Sequence, residues 1–353
     1  MSFKSKWKYG LKGAKSVHPR CPVIVGKTVL VSFAYGQGSN FQGTLSAVDA
    51  DSGEEIWRFN AEHWLNEPSI SSDGSIFVTC FNGTVYKLGL DGKVEWKSQP
   101  SDKSLGLGLL IDDKFYCAEV AGRAKHTRAL NTKDGSVIWE YKNDGHSYAL
   151  GTDQNEFIVH CSVSGDSDDS IIYLYCLNKD TGKIQWKTKY DAYLFQPLII
   201  DDYIYIGSRG HVALFSLGLG ELLATFQLEA EIAVTARPID ADGRVIFVTE
   251  HGRVFCVSPR ETKAGILRKK SFELQQHWSI DLSSEIKARA LQDGSLLLVI
   301  AESGNLTTID TKNGEILEQE KLSGFKEGYG ITKYERDFVI SVSRDCSRIA
   351  RKI

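Results

Sequence analysis

Gly53-Glu54-Glu55-Ile56-Trp57 is the stretch whose recurrence decides the fold. It returns as Gly92-Lys93-Val94-Glu95-Trp96, Gly135-Ser136-Val137-Ile138-Trp139 and Gly182-Lys183-Ile184-Gln185-Trp186, and in worn form as Gly220-Glu221-Leu222-Leu223-Ala224. Successive tryptophans lie 39, 43 and 47 residues apart. A period of roughly 40–50 residues marks a blade of four antiparallel strands that buries its faces against its neighbours in a ring.

The second unit shows the internal plan. Ser72-Asp73-Gly74 turns, Ser75-Ile76-Phe77-Val78-Thr79 alternates, Asn82-Gly83 makes a hairpin, Thr84-Val85-Tyr86-Lys87-Leu88 runs back, and Asp91-Gly92 turns into the tryptophan strand. Asn-Gly and Asp-Gly pairs between alternating runs are strong hairpin signals, because both residues tolerate positive φ. Anchors near 7, 57, 96, 139, 186, 224, 278 and 318 predict an all-β single domain over 1–353 with eight four-stranded blades; seven is the alternative if weak units are merged. The last unit is one strand short, and Lys6-Trp7-Lys8-Tyr9 supplies the missing one, so residues 1–12 are expected to close the ring. In the sixth unit, residues 259–277 read as an insertion, with the closing strand resuming at Trp278.

The stretches GTLSAVDADSGEEIWRF (43–59) and YLYCLNKDTGKIQW (173–186) closely resemble the repeat of the pyrroloquinoline-quinone (PQQ)-like β-propeller superfamily. The resemblance covers nearly the whole chain, strongly in the first four units. It implies that Trp7, Trp57, Trp96, Trp139, Trp186 and Trp278 are structural anchors packed between blades, as suits an aromatic that buries roughly 200 Å². The quinone dehydrogenases of the superfamily carry a vicinal cysteine pair, and this chain has no adjacent cysteines. The resemblance therefore implies the non-enzymatic branch, with no cofactor; in size the chain is similar to the branch's outer-membrane assembly lipoprotein, without that protein's leader.

Hydrophobic residues make up 42% of the chain and charged residues 25%, a balance that excludes wholesale disorder. A net charge of −3 gives no global basic field, so nucleic acid is not an expected partner. No apolar run reaches the roughly 18 residues of a membrane span, and no signal-peptide core follows the basic N-terminus. These features point to a cytoplasmic protein, monomeric by itself. Seven cysteines with no CxxC spacing read as reduced core thiols. The eight histidines show no HxH or HExxH, so no metal site is expected.

Candidate functional residues come from where equivalent repeat positions differ. Aligned on the inner strands, the residues Cys21, Glu67, Leu107, Tyr148, Gln196, Arg237, Arg289 and Tyr329 fall one per blade near the mouth of a central channel. Of these, Glu67, Tyr148, Gln196, Arg237, Arg289 and Tyr329 are candidates for gripping a partner or an anion. The basic residues Arg260, Lys263, Arg268, Lys269 and Lys270 of the insertion form a second candidate, since loops that break a repeat often carry function. No nucleophile elbow, catalytic motif or phosphate loop is present. The expected function is a non-catalytic scaffold that binds a protein partner through one face and the channel mouth, as an adaptor or an immunity-type inhibitor. A small-ligand or enzymatic propeller is the alternative, and an envelope assembly factor a further one if a leader is missing.

Overall fold

The tryptophan phrase is explained by where its glycine and its ring end up. Trp139 packs on Gly182 of the following sheet, where a Cβ would stand 2.6 Å from the ring, and its indole N–H donates to the Lys179 carbonyl at 2.8 Å. The same contact joins Trp7 to Gly53, Trp57 to Gly92, Trp96 to Gly135, Trp186 to Gly220 and Trp278 to Gly314. In each pair the indole donates to a carbonyl of the same turn. These glycines have φ between +65° and +78°, which a side chain resists, and they leave a flat seat for the ring. The glycine and tryptophan of one phrase thus serve two different interfaces.

The structure, a computed structural model, describes residues 4–12, 14, 17–37, 40–120, 126–153, 155–164, 171–229, 232–234, 237–264, 269–286, 290–322, 328–342 and 345–350. The expectation of eight four-stranded blades, with seven as the alternative, is corrected: the structure has seven four-stranded sheets and one five-stranded sheet. The departure is the first sheet: its inner strand is split into His18–Pro19 and Val23–Val25, both paired with Thr28–Gln37. Pro22 lies in the gap, and without an N–H it cannot continue the ladder.

Within each sheet the strands follow chain order and pair antiparallel, except in the last, where Lys4–Gly10 lies outside Asp345–Ala350. That pairing joins the two ends of the chain, and Trp7 then packs on the first sheet, so the ring of sheets closes. The hydrophobic clusters sit between consecutive sheets: Leu30, Leu45 and Ala47 meet Ile76, Val78 and Leu88, and Val29, Val31 and Val48 meet Val339 and Cys346 across the closure. Burying each such side chain contributes about 1.5–3 kcal/mol, so the ring is held by side chains between sheets more than by any one sheet. Among the described residues no helix is long and apolar enough to cross a membrane.

The sixth-unit insertion is a ribbon rather than a loop. Arg253–Ala264 and Lys269–Asp281 pair from Arg253↔Asp281 to Ala264↔Lys269, with one register shift between Cys256 and Val257. The closing strand therefore begins at Lys269 and not near Trp278. Pro259 sits in the partner strand opposite Leu274, and cross-strand pairs such as Arg260 with Glu273 and Thr262 with Ser271 carry the ladder past it.

Two phrases lack their tryptophan, and the structure gives the reason. Ala224 of the fifth sheet faces the sixth, whose ribbon replaces the glycine turn and brings Phe272 and Leu274 into the interface. Glu318 pairs with Thr308 on the outer strand of the seventh sheet, and the last two strands of the eighth come from opposite chain ends.

Candidate functional site

The channel-mouth residues share a backbone device. In the second sheet Leu65 pairs with Cys80 and Ser69 with Phe77, so four steps on the inner strand match three on its partner. The third sheet repeats this, with Leu105 opposite Glu119 and Leu109 opposite Tyr116. In the first sheet Pro19 pairs with Phe33 and Val23 with Leu30. One extra residue also falls between Ser147 and Leu150, between Leu194 and Pro197, and between Gly328 and Gly330. Each interval contains the aligned residue: Cys21, Glu67, Leu107, Tyr148, Gln196 or Tyr329. A bulge re-aims a side chain out of the pleat, so the mouth position is built by one repeated irregularity filled with different residues.

Glu67, Leu107, Gln196 and Arg237 line one cavity of about 230 Å³, together with Pro68, Ser69, Ile70, Gly108, Leu109, Leu110 and Leu150. Its walls come from the inner strands of the second to sixth sheets. Arg237 is exposed, and Glu67 and Gln196 are half-buried. Tyr148 and Tyr329 lie on inner strands, but their side chains fall outside the described part, and Arg289 lies outside the described residues. Gly108 carries no side chain because a Cβ there would stand 2.0 Å from the Phe115 ring. Of the insertion's basic residues, Arg260 is exposed and 3.4 Å from Glu273. Lys263, Lys269 and Lys270 lie on the ribbon with side chains outside the described part, and Arg268 is outside the described residues.

Beside the mouth lies a cluster that the repeat pattern hides. The chain has seven tryptophans, and six are anchors; Trp64 is the seventh. It stands in the link between the first and second sheets with Phe41 edge-on at 4.6 Å and Phe81 at 5.8 Å. His63 stacks on Phe81 at 6.3 Å, and the Arg20 guanidinium lies 5.9 Å above the Phe81 ring. The Trp64 indole donates to the Tyr35 carbonyl at 3.2 Å. All of these side chains are half-exposed. Burial lowers the His63 pKa, so the imidazole is neutral at pH 7. The sequence signal is a tryptophan seven residues after an anchor, out of register with every repeat.

The same end of the ring is stiffened by buried polar networks. Glu119 accepts from Arg128 at 2.8 Å and from Ser101 at 2.6 Å, and Arg128 also donates to Glu140 at 2.6 Å. Asn143 donates to Thr127 and to Ser147, and the Ser147 hydroxyl lies 2.9 Å from His160 Nδ1. His160 is fully buried and stacked on Tyr175 at 4.9 Å, and burial holds its pKa down to about 3. Ser147 and His160 are not poised for nucleophilic catalysis, since both are sealed from solvent.

The family model for the outer membrane protein assembly factor BamB matches residues 42–259 and 195–320. The chain belongs to this family. BamB of Yersinia pestis is 22% identical over 310 residues, covering 80% of this chain and 74% of that protein. The β-alanine-activating enzyme of Drosophila melanogaster is 24% identical over 298 residues, 74% of this chain but 27% of the enzyme. Among solved structures, BamB from Moraxella catarrhalis superposes with a TM-score of 0.68 at 13% identity, covering 99% of this chain and 100% of that one. The computationally designed Ika8 protein gives 0.75 at 12% identity, with 97% and 98% covered. At such identities the likeness shows the propeller fold alone. The expected PQQ-like superfamily and the BamB-type family agree.

Proposed function

We propose that this chain is a non-catalytic scaffold that binds a protein partner through the end of the ring carrying Trp64 and the channel mouth, in a reducing compartment such as the cytoplasm. The observation that carries it is the half-exposed cluster of Trp64, Phe81, Phe41 and Tyr35 beside Arg20. Tryptophan, tyrosine and arginine dominate binding hot spots, because a large rigid contact is gained at low entropic cost. The exposed apolar residues at the other end, such as Ile56, Ile184 and Leu219, are spread over separate sheets and offer no comparable anchor. Free thiols at all seven cysteines, six of them buried, support the compartment.

The test is cross-linking and co-purification from native lysate with wild-type, Trp64→Ala and Leu219→Ser proteins. A stoichiometric partner kept by Leu219→Ser and lost by Trp64→Ala is the expected result. A partner held equally by all three proteins, or a lone monomer throughout, refutes the assignment. The family favours a second reading, in which the partner belongs to outer-membrane protein assembly, as the relatives' name states for them. Recovery of the native protein in the envelope fraction selects that reading over the cytoplasmic one.

A further inference from the structure

We propose that the axial cavity binds a small uncharged aliphatic carboxamide. Such binding needs no protein partner, so it stands or falls separately from the Trp64 surface. A volume of about 230 Å³ lies below the roughly 300–1,000 Å³ of pockets that take drug-sized ligands or cofactors, so the occupant is small. Glu67 and Arg237 both line the cavity, but each is already engaged within the protein. A charged ligand would therefore give up its hydration without gaining a counter-ion of its own, a cost that a neutral ligand avoids.

The uncommitted polar group of the lining is the Gln196 side chain. It is half-buried, and among the described residues nothing donates to it or accepts from it. It sits in the one-residue bulge between Leu194 and Pro197 of the fifth sheet, the repeat's own means of turning a side chain out of the pleat. A carboxamide carries N–H donors and a carbonyl acceptor, and a second carboxamide meets both at once through two parallel hydrogen bonds. Ser69 spends its hydroxyl proton on the Gly108 carbonyl at 3.3 Å, so what it offers a ligand is an acceptor for the remaining N–H. That bond also ties the second sheet to the third, so two walls of the chamber are held in place before a ligand arrives. Most of the rest of the lining is aliphatic. Ile70, Leu107, Leu109 and Leu110 are half-buried. Ile70, Leu109 and Leu110 pack on the cores between sheets, and the remainder of their surface gains by leaving water beneath a branched alkyl chain. An amide group on the fifth sheet and an aliphatic wall on the second and third suit a short amphiphile with its carboxamide at one end.

The experiment is calorimetric titration of the full chain with 4-methylpentanamide, 4-methylpentanoate and 4-methylpentan-1-amine. The three share one branched chain and differ in the head group and its charge. The amide is expected to bind at least tenfold more tightly than either ion. Gln196→Leu should weaken amide binding at least fivefold. Gln196→Glu should turn the preference toward the amine, because a carboxylate there accepts from an ammonium; a merely structural role for Gln196 would leave the order of the ligands unchanged. Equal binding of the three ligands by the wild-type protein, or no binding of the amide at millimolar concentration, overturns the proposal. So does an unchanged order of ligands in Gln196→Glu. The ligand series on the wild-type protein decides the matter even if a variant fails to fold.

Discussion

Replacing Gly182 with alanine should disturb the contact between the third and fourth sheets through an overlap that is absent once Trp139 is removed. Two costs combine. At φ +66° an alanine occupies the left-handed region, which costs an L-residue about 1–2 kcal/mol. Its Cβ would stand 2.6 Å from Trp139 Cδ2 and 2.7 Å from Cε3, and such overpacking costs about 1–3 kcal/mol. Gly182→Ala should therefore destabilise by about 2–5 kcal/mol. Trp139→Ala, which removes a buried ring and its hydrogen bond to the Lys179 carbonyl, should cost about 3–5 kcal/mol. In the double variant the overlap is gone and only the backbone cost remains. The two changes should then fall short of additivity by about 1–3 kcal/mol. Urea unfolding of the four proteins followed by far-ultraviolet circular dichroism measures the cycle. Gly182→Asn separates the two costs, since asparagine tolerates the left-handed backbone but keeps the Cβ. Additivity to within about 0.5 kcal/mol would show that the glycine is not a seat for the ring.

Acid should act through His160. With its folded pKa held to about 3 against an ordinary 6.5, the imidazole stays neutral in the ring while the unfolded chain takes up a proton. Stability should thus fall as pH drops from 6.5 toward 3, by up to about 1.4 kcal/mol per pH unit from this group. His160→Gln should flatten that slope in urea melts at pH 7 and pH 5, and an unchanged slope would remove His160 as the cause. Thiol labelling should be equally selective. Cys21 is half-exposed and the other six cysteines are buried, with the Cys117 and Cys176 thiols pushed up to about 12. An aromatic disulfide reagent should modify Cys21 first and the others only after unfolding; rapid modification of several sites in the native protein would contradict the packing.

How much of this was legible depends on whether a residue's role is local to its repeat. The blades could be read because Asn82-Gly83 and Asp91-Gly92 act within a few residues, and the tryptophans recur on a ruler. The mouth position was legible as an alignment, but not that Glu67, Gln196 and Arg237 line one chamber, which requires the ring to bring distant sheets together. The closing strand of the sixth sheet reads as starting at Trp278 because Pro259 and a run of charged residues interrupt the alternation, although the strands pair through them from Lys269. The Trp64 cluster shows in the sequence only as a tryptophan out of register; that Phe41 and Phe81 join it depends on two hairpins and a link meeting in the fold. The split inner strand of the first sheet coincides with the bulge around Cys21 and Pro22, the position at which the inner-strand starts align.

The seat and the ring that fills it belong to successive repeats. A typical interior repeat receives its predecessor's indole on its own glycine and offers its own indole onward. Such a repeat can be copied or deleted whole without leaving a mismatched joint, because the new neighbours present the same two halves. Among the described residues of the sixth and eighth sheets no glycine seats an indole, and the tryptophan position of the preceding sheet holds Ala224 in one case and Glu318 in the other. A duplication across either boundary would set a tryptophan against a surface shaped for something else. The ring is therefore modular between the first and fifth sheets, and bespoke at the two joints where its symmetry has already been spent.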